Sequence, residues 1–324
     1  MKKDGANAIS VSGLTKYYDG LAAVDSIDFE VKEGEVFGFL GPNGAGKTTT
    51  IRMLTGLSQP SDGTAQVLGY DIRTGITFAK REFGVVPEVS NLYDELTALE
   101  NLVFMAQLYR IPGDQKIKRA EELLSTFGLS QRKDSRFSAL SRGMKRALTI
   151  AAALLHKPRL LFLDEPTVGL DVVNARLLRS LIRELNHQGA TIFLTTHYLE
   201  EADFLCDRIA ILVRGSIVVL DTPDNLKQMV KWEPACEVRF IPMPEKAIIE
   251  LGRQKGIHRI EKLGDNVRLY GESVPLLTEA IFNYGSQKEL EIAFINSVRP
   301  TMEDAFVQLT GVNLEAMLVE KGGR

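Results

Sequence analysis

The chain has 324 residues, 44% hydrophobic and 25% charged, with a formal net charge of −3. That is the composition of a soluble globular protein too long for one ordinary compact core, so two domains are expected; without a basic excess, no nucleic-acid partner is expected. The two cysteines, Cys206 and Cys236, stand far apart and outside any CxxC pair, so they indicate neither a zinc site nor a disulfide framework and read as buried thiols in a reducing compartment.

The first residues, MKKDGANAIS, carry two lysines but no apolar h-region, so no secretory signal is expected. The longest apolar stretch, Ala147 to Leu155, is too short to span a bilayer, so the protein is expected in the cytoplasm. Residues 9–31 alternate apolar and polar about a glycine-containing turn, the pattern of antiparallel strands. Tyr17 and Tyr18 stand at that turn, and Tyr18 is either an adenine-stacking aromatic or an exposed loop side chain.

Residues 35–56, EVFGFLGPNGAGKTTTIRMLTG, match the phosphate-binding pattern GxxxxGK[ST] from Gly41 to Thr48. Val36, Phe37, Phe39 and Leu40 read as a buried strand, and Ile51, Met53, Leu54 and Leu57 as the apolar face of the next helix. Between them the loop Gly41, Pro42, Asn43, Gly44, Ala45, Gly46, Lys47, Thr48, Thr49 has glycines where the backbone must turn several N–H groups toward one anion at a helix N-terminus. Lys47 is expected to reach the β- and γ-phosphates, and the Thr48 hydroxyl to hold Mg²⁺.

Residues 64–70 and 83–86 read as short strands, the second ended by Pro87. From Thr97 to Gly128 the pattern is helical: Thr97 and Glu100 form a capping box, and a second helix starts near Asp114 and ends at Gly128. Ser141 stands as the N-cap of an Ala- and Leu-rich helix that runs to Leu155. Arg159 to Asp164 is an apolar strand that ends in Asp164 and Glu165, two adjacent carboxylates that are costly to bury unless a cation or a water uses them. A helix over Asn174–His187, a strand over Ala190–Thr195, His197, a helix over Leu199–Leu205 and a hairpin over Arg208–Asp221 follow, which together predict a mainly parallel sheet with both faces covered.

After about Val230 the pattern changes at Pro234, Pro242 and Pro244. The order that follows is strand (236–241), helix (245–255), strand (258–263), strand (266–270), helix (274–284), strand (290–295) and a final helix (301–309). It suits a small ferredoxin-like sandwich with one extra helix.

A phosphate loop and a carboxylate at a strand end make a nucleoside triphosphatase: Asp164 would hold Mg²⁺ through water, and Glu165 would orient or deprotonate the attacking water. His197, just past a parallel-type strand, is either a γ-phosphate contact or a structural histidine.

These motifs together resemble the ATP-binding cassette (ABC) family, from Ile9 to roughly Val230. Tyr18 in LTKYY matches the aromatic loop, GPNGAGKTT the Walker A loop, VVPE the Q-loop, LSRGM the signature, LLFLDEP Walker B, and GLD with TTH the D- and H-loops. The resemblance implies ATP and Mg²⁺ as ligands, with Glu165, His197 and Lys47 catalytic and Thr48, Glu88 and Asp164 around the metal. Tyr18, the Walker A residues, Ser141, Gly143 and Asp171 would contact nucleotide. It also implies a homodimer, two cassettes head to tail with ATP at the seam, in which the helix N-terminus at Ser141 and Gly143 is a second anion site. Two departures stand out: Arg142 and Met144 replace the first glycine and the glutamine of LSGGQ, with Arg142 expected to point outward, and Glu88 occupies the usual glutamine position.

The expected fold is therefore an α/β P-loop ABC cassette at 1–230, with antiparallel N-terminal strands and a helical subdomain at about 88–155. An α+β ferredoxin-like domain at 231–310 and a frayed tail at 311–324 complete it. LSRGMKR, the acidic Q-loop position, the C-terminal module and PTMEDAFVQLTG are similar to the drug- (daunorubicin- or multidrug-type) and sodium-exporting ATPases. Those pair with a separately encoded ABC-2 type permease, which would dock near Val89 to Glu95 and the helical insertion and place this chain at the cytoplasmic face of the cell membrane. A solvated face is the other reading of that surface. The C-terminal domain is left as dimer support, regulatory lid or ligand site. A soluble ABC factor acting on ribosomes or DNA, and a plain P-loop kinase or GTPase, are the competing functions.

Overall fold

The structure is a computed structural model that describes residues 6–244 and 246–313. These form two compact units, residues 6–225 with 306–313, and residues 226–305. Residues 306–310, expected with the C-terminal domain, thus group with the first unit. Of the expected tail, everything beyond Asn313 lies outside the described residues.

In chain order the first unit has strands β1 (Asn7–Tyr18), β2 (Leu21–Lys32) and β3 (Val36–Leu40), helix α1 (Lys47–Leu54), strands β4 (Asp62–Val67) and β5 (Tyr70–Asp71), helix α2 (Ile76–Ala79) and strand β6 (Phe83–Val86). Helices α3 (Ala98–Leu108), α4 (Gly113–Thr126) and α5 (Arg142–Ala153) follow. Then come β7 (Leu160–Asp164), α6 (Val172–His187), β8 (Thr191–Thr196), α7 (Leu199–Leu205), β9 (Arg208–Val213) and β10 (Ser216–Asp221), with α8 (Pro223–Gln228) leading out.

One sheet is antiparallel, in the order β2-β1-β4-β5. The other runs β10-β9-β3-β8-β7-β6 and is parallel except for β10. Every residue of β3, β7 and β8 is buried, as expected of strands covered on both faces. Phe29 of β2 packs against Phe37 and Phe39 of β3 and Phe193 of β8, with ring centroids 5.5, 5.2 and 6.0 Å away. Truncating one such ring to alanine costs about 3–5 kcal/mol, so this cluster fixes the strand from which the phosphate loop departs.

The expected caps are present. Thr97 and Glu100 close a capping box on α3, and Ser141 accepts the Met144 amide at the start of α5. Helix α4 starts at Gly113, a residue before Asp114, and α6 starts at Val172 rather than Asn174 because the Asp171 carboxylate accepts the Asn174 amide. Leu57 is not on the apolar face of α1: the helix ends at Leu54, Gly56 turns the chain at φ +67°, and Leu57 is 65% exposed.

The second unit contains β11 (Ala235–Ile241), α9 (Ala247–Leu251), β12 (Ile257–Leu263), β13 (Asn266–Gly271), α10 (Val274–Gln287) and β14 (Glu291–Val298); α11 (Met302–Thr310) follows it. The strands lie in the order β12-β13-β11-β14, all antiparallel, which is the ferredoxin-like arrangement. Alternation on β11 sends Cys236, Val238 and Phe240 into a core with Leu277, Ile281 and Tyr284 of α10. Helix α9 is shorter than the expected span, whose first residue, Glu245, lies outside the described residues. Cys206 and Cys236 are free and buried, as expected.

Candidate active site

Strand β3 ends at Leu40 and α1 begins at Lys47, so the phosphate loop is the short path between the parallel sheet and a helix N-terminus. Two of its glycines, Gly41 and Gly46, are required by space, and Gly46 by conformation as well. A Cβ on Gly41 would lie 2.2 Å from the Leu212 carbonyl oxygen, and one on Gly46, whose φ is +109°, would lie 2.4 Å from that of Ala23. The loop borders a cavity of ≈ 650 Å³ that also takes in Glu88, Arg142, Glu165 and His197.

Within that cavity Lys47 is buried, and its Nζ donates to the Gly41 and Pro42 carbonyls at 2.6 and 3.2 Å. Lys47 Nζ also forms an ion pair with Glu165 Oε1 at 3.0 Å, close in distance but poorly aligned as a hydrogen bond. On the other side of the same carboxylate, His197 Nδ1 lies 2.9 Å from Glu165 Oε2. Burial pushes the Glu165 carboxyl up, but the His197 hydrogen bond and the Lys47 charge outweigh it, so Glu165 is held below the ordinary glutamate value and is ionised at neutral pH. An ionised carboxylate can only accept, so His197 Nδ1 carries a proton. Glu165 adopts a left-handed backbone, φ +48°, a conformation that costs a non-glycine residue about 1–3 kcal/mol and persists where the surroundings enforce it.

Asp164 ends β7 one residue earlier. Its Oδ1 accepts from Thr195 Oγ1 at 2.6 Å and from Thr48 Oγ1 at 3.2 Å. Burial raises its pKa, and those two hydroxyls pull it part of the way back. Thr195 also receives the Glu165 amide at 3.0 Å, so one hydroxyl fixes both acidic residues.

Arg146, in the second turn of α5, is a site residue that the sequence reading missed. It is 8% exposed, and its guanidinium donates to the carbonyls of Asp164 (2.9 Å), Glu165 (3.1 Å) and Pro166 (2.8 Å) at the end of β7. It also donates to the carbonyls of Pro87 and, at 3.3 Å, Glu88. Burial pushes this arginine down to about 10, with the Asp164 and Glu201 carboxylates opposing that shift, so it remains a cation at neutral pH. Only LSRGMKR hinted at it; main-chain carbonyl partners leave no residue signature.

The remaining expected residues fall outside this cavity. Ser141 and Gly143 begin α5, and a Cβ on Gly143 would lie 2.6 Å from the Asn174 side chain. Asn174 Nδ2 in turn donates to Asp171 Oδ2 at 2.6 Å, so Gly143, Asn174 and Asp171 form a second cluster. Tyr18 is 45% exposed at the β1–β2 turn, with Lys16 Nζ 5.1 Å from its ring centroid. Arg142 was expected to point outward, but although exposed it lines the phosphate-loop cavity.

Residues 24–168 match the ABC transporter family. The linearmycin resistance ATP-binding protein LnrL of Bacillus subtilis is 35% identical over 313 residues, which cover 94% of this chain and 99% of that protein. The chain belongs to the ABC transporter family. The daunorubicin/doxorubicin resistance ATP-binding protein DrrA of Streptomyces peucetius is 43% identical over 70% of this chain and 69% of its own length. A Nod factor export ATP-binding protein I of Mesorhizobium japonicum is 36% identical over 96% and 90%. Among solved structures, an ATP-binding subunit of an ABC transporter superposes with a TM-score of 0.63 at 34% identity, over 68% of this chain and 92% of that one. A dimeric ATP-binding cassette in a post-hydrolysis state, bound to ADP and Pi, gives 0.61 at 28% identity over 66% and 98%. The protein is thus an ABC ATPase, the ATP-binding and ATP-hydrolysing subunit of a transporter. Each relative quoted is named for resistance or export, and none for work on ribosomes or DNA. Among the described residues no helix is long and apolar enough to cross a membrane.

Proposed function

We propose that this ABC ATPase drives an exporter, working as a head-to-tail pair of cassettes beneath a separate ABC-2 type permease. The observation that carries the reading is Glu165, held between Lys47 and His197 at the phosphate-loop cavity. A base for water must be ionised, must lie beside the terminal phosphate and must be kept from collapsing onto the loop. The lowered pKa meets the first condition. Phosphate oxygens compete for Lys47 and draw it off Glu165, which then accepts the proton of the attacking water while His197 keeps the carboxylate in place. The loop amides and Lys47 hold the phosphates throughout, and Tyr18 offers its exposed ring to adenine.

For Mg²⁺ the donor set fits. The Thr48 hydroxyl and the Asp164 carboxylate converge to 3.2 Å, and Glu88 borders the same cavity. These are oxygen ligands, and Mg²⁺ binds through one or two carboxylates plus phosphate and water rather than in an all-protein cage. Among the described residues no group of three or more His, Cys, Asp or Glu side chains is placed so that it could hold a metal ion by itself. When bound, Mg²⁺ neutralises charge on the phosphate oxygens; Thr48 and Glu88 would hold it, with Asp164 acting through water.

The dimer follows from the two clusters. Of this helix end only Arg142 lines the cavity of its own chain; Ser141, Gly143 and Asp171 do not, and a second copy would bring their anion-seeking groups to the phosphate there. Hydrolysis turns one shared phosphate group into two separate anions and loosens the seam. Export is supported by the names of the relatives, and the exposed Val89 and Tyr93, 79% and 49% accessible, offer a surface next to Glu88 for the permease at the cytoplasmic face of the membrane.

The test is a Glu165→Gln variant. It is expected to dimerise when ATP and Mg²⁺ are added, to separate when they are removed, and to hydrolyse ATP about 100-fold or more slowly than the parent. A strict monomer at saturating ATP contradicts the reading, and co-purification with a multi-span partner separates transport from a soluble role.

A further inference from the structure

We propose that Glu201 is a positioning residue for hydrolysis, a buried carboxyl that ties the segment carrying His197 to the segment carrying Glu165. The inference rests on the reading of those two residues given above. Glu201 sits in the first turn of α7 and is 2% exposed. Its Oε2 accepts a hydrogen bond from Thr196 Oγ1 at 2.5 Å, and Thr196 Oγ1 accepts the Tyr198 amide at 3.0 Å. Residues 196–201 are thereby closed into a tight corner, with His197 inside it. On its other side, the same carboxyl has the Thr167 hydroxyl beside it, and Thr167 is buried two residues after Glu165.

The contacts form a ring. It runs from Glu165 through Pro166 to Thr167, across Glu201 to Thr196, along the chain to His197, and back to Glu165 through the 2.9 Å contact of His197 Nδ1. The groups proposed to handle water and the terminal phosphate occupy one side of this ring, and Glu201 occupies the other. It has no part in the phosphate-loop cavity, whose lining includes Glu165 and His197 but not Glu201.

A carboxyl is a costly way to fill this space. Burial raises the pKa of the group, the Thr196 and Thr167 hydroxyls offset this only in part, and Oε1 has no well-aligned hydrogen-bond donor. A buried polar atom left unpaired costs about 1–3 kcal/mol, which an apolar side chain of similar size would avoid. Stability alone therefore does not account for glutamate here. What it supplies is a directed acceptor for Thr196, which sets where strand β8 ends and hence where His197 stands.

The test uses steady-state ATPase kinetics on the full chain, with ATP binding and melting temperature measured on every variant. Glu201→Ala and Thr196→Val should each lower kcat about 10- to 100-fold while KM for ATP stays within about twofold, because misplacing catalytic groups affects chemistry more than binding. The double variant should be no slower than the slower single one, since both changes break the same link. Glu201→Gln, which still offers an oxygen to Thr196, should recover most of the loss. Thr196→Val is nearly isosteric and reports on the link even where Glu201→Ala does not fold. A Thr196→Val enzyme with the parental kcat, or losses that multiply in the double variant, overturns the proposal. Full activity in Glu165→Gln would instead overturn the reading of the site on which the proposal rests.

Discussion

The two units of this ATPase handle charge in opposite ways. Among the described residues the buried charged side chains are Glu35, Lys47, Arg146, Asp164, Glu165 and Glu201, all in the first unit. All but Glu35 gather where β3, β7 and β8 end. In the second unit the charges stay partly exposed and pair off locally: Arg268 with Glu237 at 2.5 Å, Arg259 with Glu233 and Glu261 at 3.2 and 2.8 Å, Lys288 with Glu250 at 3.0 Å. Taking an ion out of water is worthwhile only where other interactions repay it, so a cluster of buried ions points to a charged ligand, and a set of half-exposed pairs does not.

The largest expected effect breaks this contrast at Arg146. Arg146→Ala removes the donor to five carbonyls and leaves the neighbouring buried carboxylates uncompensated, so it should destabilise the first unit by about 3 kcal/mol or more in urea unfolding and abolish hydrolysis. An unchanged unfolding midpoint would mean that the buried charges do not depend on one another. A milder effect is expected at the rim of the cavity. Glu88→Gln removes an exposed carboxylate where glutamine is the family habit, and ATPase activity should stay within about an order of magnitude, since a neutral oxygen still serves a hard cation. A dead enzyme would show that the charge itself is needed.

The smallest effect tests the second unit through pH. Burial and a hydrogen bond to Glu250 push Tyr284 up to about 12, above the ordinary phenol value of 10.0. The folded state therefore keeps the phenol proton after the unfolded chain has lost it. The contribution is complete below about pH 10 and is lost as pH rises toward about 12. Unfolding free energies of the parent and Tyr284→Phe, compared across that window, should converge as pH rises; a constant difference would contradict the shift.

Much of the cassette was legible because its chemistry is carried by side chains at fixed spacing. The phosphate loop, Asp164, Glu165 and His197 each fall in a strand-to-helix context that the apolar pattern announces, and Thr97 and Ser141 cap the helices their positions imply. The ferredoxin-like strand order was legible as well, since βαββαβ with short connections leaves few ways to arrange four strands. What stayed hidden depends on contacts remote in sequence. Arg146 binds main chain, Thr195 and Thr196 look like ordinary β-formers, and Arg142 faces the cavity although its position in the signature suggested solvent. Leu57 was misread because periodicity continued past a glycine that had already ended the helix.

The most direct test of the central claim is the structure of the chain with Mg²⁺ and a non-hydrolysable ATP analogue. The account predicts two copies head to tail, with the γ-phosphate bound by Lys47 of one copy and within hydrogen-bond reach of Ser141 of the other, and with Glu165 released from Lys47 but still paired with His197. A γ-phosphate remote from Ser141 of either copy, or a Lys47–Glu165 pair that survives nucleotide binding, would contradict it.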